Sequence, residues 1–234
     1  MFGGGRLHGA AHRGACVQGQ RPTADPFRFK DVVRTDISTS DPAILGGQPI
    51  CRRHYPSWPI WNDVERSRLA ETLESGHWWD GDGRRAKDFA RDFAAFQNAA
   101  YGLPMSNGTH TLEAALTACE IGLGDEVIVP AMTFIASASA VMAVNAVPIL
   151  VDIDPKTLCI DVAAAEAAIT DRTRAIIAVH VAGAAADLDA LTELCSRRKL
   201  HLTDDCARAH ATVWRGRGAG PRGPFGSFSM RASK

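Results

Sequence analysis

The sequence predicts an α/β fold with a mostly parallel sheet that helices cover on both faces. Three observations support this prediction: helical and strand-like segments alternate between about residues 65 and 229, the strand-like segments are short and apolar throughout, and turn residues separate them. Strands buried on both faces have continuous apolar runs, whereas half-exposed strands alternate apolar and polar residues. With 234 residues and 46% apolar composition, the chain has enough apolar material for one large domain or two small ones.

Each element follows from a local pattern. Apolar residues at helical spacing, followed by glycines or basic residues, predict helices at residues 65–75, 86–100, 109–121, 134–145, 163–169 and 187–198. Short apolar runs predict strands at residues 103–106, 126–129, 147–151, 175–179, 201–202 and 225–229. Ligands of such sheets bind at the carboxyl ends of the strands, so residues that directly follow strands are the candidates for function.

The first 40 residues differ from the rest of the chain. A run of glycines at 3–5, several Arg and His residues and the lack of any period predict a disordered extension over residues 1–40. Residues 41–234 are expected to form an extended N-terminal arm, which includes Trp58 and Trp61, followed by the α/β domain.

Composition excludes several classes of partner. The 26 basic and 26 acidic residues give a net charge of zero, so charge alone attracts neither nucleic acid nor an anionic membrane. No apolar run approaches the length of a membrane span and the N-terminus lacks a signal-like apolar block, which predicts a cytoplasmic protein. The six cysteines form no C-x-x-C pair and are expected to be reduced.

An acid and a lysine near the end of the chain suggest a specific cofactor. Asp204 and Asp205 follow the apolar stretch 200–202, and Lys234 follows the strand-like residues 225–229. Pyridoxal phosphate needs this pairing, because a lysine amine forms an imine with its aldehyde and a carboxylate keeps its pyridine nitrogen protonated. Among the five lysines, Lys234 alone follows a predicted strand, with Ser229 and Ser233 shortly before it, although it also fits a frayed terminal residue.

The segment at residues 106–109 joins a predicted strand to a helix and suits a phosphate. Free backbone N–H groups at a helix start attract phosphate, Gly108 permits close approach, and the Thr109 hydroxyl adds a donor. The alternative is an ordinary helix cap formed by Asn107 or Thr109.

Two further patterns point to other ligands without sufficient support. Asp204 and Asp205 with Cys206 and His210 resemble part of a metal site, but no further ligand cluster accompanies them, so we predict no metal. The spacing Gly-x-Gly-x-x-Ala at residues 81–86 matches the dinucleotide fingerprint, but no strand precedes it.

Taken together, several ordered segments resemble the DegT/DnrJ/StrS family of pyridoxal-phosphate-dependent sugar aminotransferases. The resemblance extends from about Gly46 to Lys234 and rests on residues 106–110, 124–130, 151–155, 168–173, 179–180, 186–190, 204–207 and 228–234. Residues 145–148, 157–160 and 228–230 look most like the aminotransferases of keto-cyclitols such as scyllo-inosose. Residues 77–79 and 107–110 also resemble the 3-amino-5-hydroxybenzoate synthase branch.

The resemblance implies the architecture of a fold-type I enzyme. Its large domain has three layers (αβα), its small domain lies at the C-terminus, and its active site is shared across a homodimer. Because the family continues beyond the lysine with a Gly-rich turn, more sheet and the small domain, we expect a truncated large domain with the small domain absent. Such a fragment is expected to bind cofactor poorly and turn over little, because orientation accounts for much of the catalysis.

The resemblance also implies roles for individual residues. Lys234 would bear the cofactor and move the substrate proton, Asp205 would pair with the pyridinium, and Phe134 would stack on the ring. The implied cofactor-binding set is Gly108, Thr109, Phe134, Asp205, Arg208, Ser229 and Lys234, of which Gly108, Thr109 and Ser229 would hold the phosphate. Arg208 stands where the family usually has Gln and sometimes His, which affects substrate handling and rate more than cofactor identity.

The implied reaction transfers an amino group from glutamine or glutamate to a keto-sugar or keto-cyclitol, as in aminoglycoside-like biosynthesis. One alternative is an enzyme of the same family that acts on a nucleotide-linked keto-sugar or makes an aminohydroxybenzoate. The other is a non-catalytic truncated relic, which the expected truncation and Arg208 favour.

Overall fold

The computed structural model describes residues 41–49, 59–79, 81–220 and 222–231. The chain divides into two units, Met1–Ser57 and Trp58–Lys234. The described part of the first unit contains a 3-10 turn at Ala43–Leu45 that ends at Gly46. The extension predicted at residues 1–40 lies outside the described residues, so its disorder stays a prediction.

Helices and strands alternate in the second unit. The helices are α1 (Asp63–Ser75), α2 (Arg85–Phe96), α3 (Gly108–Ala118), α4 (Ala136–Ala143), α5 (Val162–Ala167) and α6 (Leu188–Arg198). The strands are β1 (Glu126–Pro130), β2 (Val147–Val151), β3 (Thr173–Val179), β4 (His201–Asp205), β5 (Val213–Trp214), β6 (Arg217–Gly218) and β7 (Phe225–Ser227). Within the described ranges, no helix combines the length and apolarity that crossing a membrane requires.

The central sheet is parallel throughout and has the strand order β2-β1-β3-β4-β7. Its register places Asp205 at the end of β4 beside Val179 of β3 and Ser227 of β7. A separate antiparallel pair, β5 and β6, lies in the connection between β4 and β7. This topology confirms the predicted α/β class.

Apolar clusters lie on both faces of the sheet because successive strand residues point to opposite sides. On one face, Ile128 and Ile176 belong to a buried cluster with Leu191 of α6. On the other face, Val127 belongs to a buried cluster with Leu116 of α3. Each fully buried leucine contributes roughly 1.5–3 kcal/mol relative to an exposed one. The two clusters give the three-layer αβα arrangement.

Short polar side chains set the starts of four helices. Asn62, Asn107, Asp161 and Asp187 precede α1, α3, α5 and α6, and each accepts a hydrogen bond from a backbone N–H of the first turn. These bonds satisfy donors that have no partner inside the helix. The caps fix where each helix begins, including the start of α3 beside the candidate site.

Several expected elements differ in the structure. Residues 103–106 do not form the predicted strand: Pro104 has no N–H to donate, and the flanking Leu103 side chain is 77% exposed. Helix α2 ends at Phe96 instead of residue 100, because Asn98 has a left-handed backbone with φ of 58°. Helix α4 begins at Ala136 because Phe134 lies in the preceding turn. The β5–β6 pair was not predicted.

Candidate functional site

The carboxyl edge of the sheet brings together residues that are distant in sequence. Asp205 ends β4, Ser229 follows β7, and Thr133 follows β1. Helix α3, whose first residue is Gly108, packs against β7. These positions form one candidate site, which we call the edge site.

Asp205 is buried in the edge site with a donor on each carboxylate oxygen. The Ser137 hydroxyl, on α4, donates to Oδ2 at 2.7 Å, and the backbone N–H of Ala207 donates to Oδ1 at 3.1 Å. The Thr133 hydroxyl lies 2.7 Å from the Ser137 hydroxyl. Each carboxylate oxygen can accept more than one hydrogen bond, so Asp205 keeps capacity for a ligand donor.

Asp204 faces the opposite side of the sheet, where its carboxylate contacts other parts of the fold and not the edge site. Its Oδ1 lies 3.4 Å from Nε2 of the fully buried His180, and its Oδ2 accepts the Gly223 N–H at 3.3 Å. The His180 Nδ1 accepts the N–H of Ala186 at 3.1 Å, so the ring proton belongs on Nε2, toward Asp204. Burial raises the pKa of Asp204, while His180 and the backbone donors oppose that increase.

Gly108 and Ser229 approach each other closely at the edge site. A Cβ at position 108 would lie 2.8 Å from the Cβ of Ser229 and 3.3 Å from the carbonyl oxygen of Phe228. The hydroxyl of Ser227 donates to the carbonyl of Gly108 at 3.3 Å. Only glycine therefore lets the start of α3 lie this close to the segment that follows β7.

The start of α3 presents backbone donors beside Ser229. The Asn107 side chain accepts the N–H of His110 at 3.0 Å, and the carbonyl of Asn107 accepts the N–H of Thr111. Within the described part of the chain, the N–H groups of Gly108 and Thr109 have no acceptor. The helix cap and an anion site can therefore exist together. Asn107 caps the helix, and the N–H groups of Gly108 and Thr109 remain available at its positive end.

The remaining predicted residues that the structure describes lie around the same edge. The Phe134 ring is 62% exposed, and its backbone carbonyl accepts the N–H of Ser137 at 3.0 Å. Arg208 is exposed and lines an open cleft of about 600 Å³ together with Gly183. Lys234 lies outside the described residues, so its role stays a prediction.

The residues that hold Asp205 and Ser229 in place carry no recognisable sequence motif. Ser137 and Thr133 contact Asp205 directly or through one hydroxyl, but a serine in an alanine-rich helix carries no motif. The Nε2 of His210 donates to the carbonyl of Ser229 at 2.8 Å. The sequence around His210 indicates only a metal ligand, because its pairing with Ser229 depends on tertiary structure.

These residues fit the phosphate and pyridine of pyridoxal phosphate. The free N–H groups beside Ser229 suit a phosphate, and the buried Asp205 suits a cationic ring nitrogen, since a buried carboxylate needs a partner. Because Gly108 has no Cβ, at a position where a Cβ would clash with Ser229, its backbone can also approach an anion closely.

Comparisons with known proteins agree with this arrangement. The family model of the DegT/DnrJ/EryC1/StrS aminotransferases matches residues 60–234. The chain is 48% identical over 197 residues to an L-glutamine:scyllo-inosose aminotransferase of Streptomyces griseus, covering 82% of this chain and 46% of that protein. It is 47% identical over 197 residues to an L-glutamine:2-deoxy-scyllo-inosose aminotransferase of Micromonospora echinospora, covering 82% and 47%. The chain thus spans about half the length of these curated relatives.

Solved structures share the fold. The crystal structure of 3-amino-5-hydroxybenzoic acid synthase aligns with a TM-score of 0.74 and 42% identity, covering 77% of this chain and 47% of that one. NtdA from Bacillus subtilis, solved with bound cofactor PMP, aligns with a TM-score of 0.60 and 36% identity, covering 63% and 34%. The match confirms the fold-type I large-domain architecture. The chain belongs to the DegT/DnrJ/EryC1/StrS aminotransferase family.

Proposed function

We propose that this protein is a pyridoxal-phosphate-dependent aminotransferase that moves an amino group from glutamine to a keto-cyclitol of the scyllo-inosose class. The observation that carries the proposal is the edge site, where the buried Asp205 carboxylate lies at the same sheet edge as the Gly108–Ser229 approach. The names of relatives at 43–48% identity support the donor and the acceptor class. Glutamate remains an alternative donor within the same reaction.

Pyridoxal phosphate, when bound, supplies an aromatic ring that accepts electrons from the reacting carbon. We assign Asp205 to the ring nitrogen, because a buried carboxylate stabilises the protonated ring. Gly108 and Thr109 would hold the phosphate through backbone N–H groups, and Ser229 would add its hydroxyl. These assignments use donors and acceptors that have free capacity within the described residues.

Three further residues complete the proposed site. Phe134 would stack on the ring, since its exposed side chain belongs to the turn that contacts Asp205 through Ser137. Arg208 would donate to the phenolate oxygen of the cofactor, because its guanidinium pairs with no carboxylate in the described residues. Lys234 would hold the cofactor through its amine and carry the proton at the substrate carbon.

We also propose that the active protein is a homodimer. The support is the exposed apolar residues near the edge site, among which Ile135 is 70% exposed and Met132 is 43% exposed. Exposed apolar surface of this kind is typical of a protein interface.

The first test asks whether Lys234 forms an imine with pyridoxal phosphate. We expect the parent chain with pyridoxal phosphate to become labelled on Lys234 after borohydride reduction, as read by peptide mass spectrometry. The Lys234→Ala variant is the control, because surface lysines also react adventitiously. A parent chain that stays colourless and unlabelled would support the non-catalytic relic.

A second assay, on the full-length gene product, compares scyllo-inosose and a nucleotide-linked keto-sugar as acceptors of the glutamine amino group. We expect amination of the cyclitol. Turnover of the nucleotide-linked sugar alone would favour the other branch of the family.

A further inference from the structure

A chain of hydroxyl groups runs from the turn after β1 to the Asp205 carboxylate. Ser137 is fully buried, and its hydroxyl donates to Oδ2 of Asp205 at 2.7 Å. The Thr133 hydroxyl contacts the same serine oxygen at 2.7 Å. Asp205 therefore depends on α4, an element distant in sequence, for one of its two donors.

The direction of this chain follows from the number of hydrogens. A serine hydroxyl has one hydrogen, and Ser137 gives it to Asp205, so Thr133 must be the donor in the contact between the two hydroxyls. The Ala207 N–H occupies the other carboxylate oxygen at 3.1 Å. Two donors from different directions fix the plane of the carboxylate and leave acceptor capacity on each oxygen.

Ser137 makes a contact that a helical serine does not ordinarily make. Serines inside helices generally point to solvent or hydrogen-bond to a carbonyl of the preceding turn. Ser139, two positions along α4, follows that rule and donates to the carbonyl of Ala136 at 3.4 Å. Ser137 instead reaches β4, while its backbone N–H donates to the carbonyl of Phe134. One turn therefore holds both the Asp205 donor and the exposed aromatic ring.

We propose that Ser137 is a positioning residue that fixes the Asp205 carboxylate for the ring nitrogen of the cofactor, with Thr133 holding the serine hydroxyl. This inference rests on the proposed function. Because Phe134 belongs to the same turn, the turn sets the stacking ring and the acid relative to each other. Ser137 acts only through Asp205, so removing it changes the contact to the ring nitrogen and leaves the phosphate contacts intact.

The test measures binding without turnover. Pyridoxamine 5′-phosphate forms no covalent bond with Lys234, so quenching of tryptophan fluorescence in the full-length gene product reports non-covalent affinity alone. We expect Ser137→Ala to raise the Kd about tenfold, since hydrogen bonds to charged groups contribute about that factor or more. Ser139→Ala, in the same helix, should leave the Kd unchanged. Thr133→Val should give a smaller increase than Ser137→Ala.

A second ligand separates positioning from simple loss of structure. The 1-deaza analogue of pyridoxamine phosphate keeps the phosphate and lacks the ring nitrogen, so Ser137→Ala should barely change its affinity. An equal loss for both ligands, or an unchanged Kd for pyridoxamine phosphate, overturns the inference while the proposed function stands. A full-length gene product that binds neither ligand overturns the proposed function, and the inference with it. Circular dichroism melts of the cofactor-free variants confirm that each one folds.

Discussion

Asp204 and Asp205 are neighbours in sequence with different surroundings, because consecutive strand residues face opposite sides of a sheet. Asp205 faces α4 and the edge site, whereas Asp204 faces His180 and the loop before β7. The sequence identified the pair as acids at a strand end, and the resemblance predicts that Asp205 pairs with the ring nitrogen of the cofactor. The partners Ser137 and His180 come from other elements, so no local pattern around residues 204–205 reveals them.

Replacing Asp204 by Asn should destabilise the fold. The two carboxylate oxygens of Asp204 face two donors, the Nε2–H of His180 and the N–H of Gly223. In either orientation, the NH₂ group of the asparagine amide would therefore face another donor. A buried donor without an acceptor costs about 1–3 kcal/mol, so the free energy of unfolding in urea should fall by about that amount. Asp205→Asn is the matched variant and should mainly weaken cofactor affinity. Equal unfolding curves for Asp204→Asn and the parent would contradict this assignment.

The stability of the protein should fall in acid partly through Glu126. The hydroxyl of Thr170 and the guanidinium of Arg172 lower the pKa of Glu126 from its ordinary 4.5. A lowered folded-state pKa stabilises the fold above the unfolded-state value, and this contribution is lost as pH falls through the lowered one. Glu126→Gln should therefore reduce the loss of unfolding free energy below pH 4.5. Glu74→Gln, at an exposed position, is the control, and identical acid profiles for the two variants would argue against the role of Glu126.

At the scale of elements, the start of α3 shows what a sequence pattern can and cannot specify. The pattern at residues 106–109 predicted either a cap or a phosphate site. In the structure Asn107 is the cap, and the next two backbone N–H groups have no acceptor among the described residues. The approach of Gly108 to Ser229 depends on the packing of α3 against β7. The predicted strand at 103–106 failed for a related reason, because a short apolar run becomes a strand only where a neighbouring strand pairs with it.

Adding one methyl group at the start of α3 should separate this helix from the segment after β7. In Gly108→Ala the new Cβ would lie 2.8 Å from the Cβ of Ser229, so one of the two segments must move. We expect weaker binding of pyridoxamine phosphate, measured by fluorescence titration, although alanine favours helix formation by about 1 kcal/mol over glycine. Gly122→Ala is the control, because its Cβ would have only the carbonyl oxygen of Val144 within reach, at 3.8 Å. Unchanged affinity with a raised melting temperature in Gly108→Ala would refute the expectation.

At the scale of the whole molecule, the described residues bury a core around the sheet but leave much apolar surface uncovered. No residue of α1 is buried, and Leu69 and Leu73 are 73% and 67% exposed. In β2, at one edge of the sheet, Leu150 is 60% exposed. The exposure of β2 follows from the strand order, which places this apolar strand at an edge of the sheet.

The isolated chain should therefore associate with itself. Unpaired strand edges and exposed apolar patches promote contacts between copies. We expect the mass measured by light scattering to rise with concentration, and an apolar dye such as ANS to bind the folded chain. Leu69→Lys, which adds charge to the exposed surface of α1, should reduce both signals. A monomer of constant mass with a sharp, reversible melt would contradict the prediction.

All five strands of the main sheet run in one direction, so their connections fall into two groups with different tolerance to insertions. The turns at residues 122–125 and 199–200 precede strands and lie at the edge away from Asp205 and Ser229. A peptide tag inserted there would leave the edge site undisturbed, since surface turns accept added residues. The same insertion after a strand would separate Asp205 from Ser229, which the proposed cofactor would contact together. Insertions should therefore be tolerated at one edge of the sheet and not at the other.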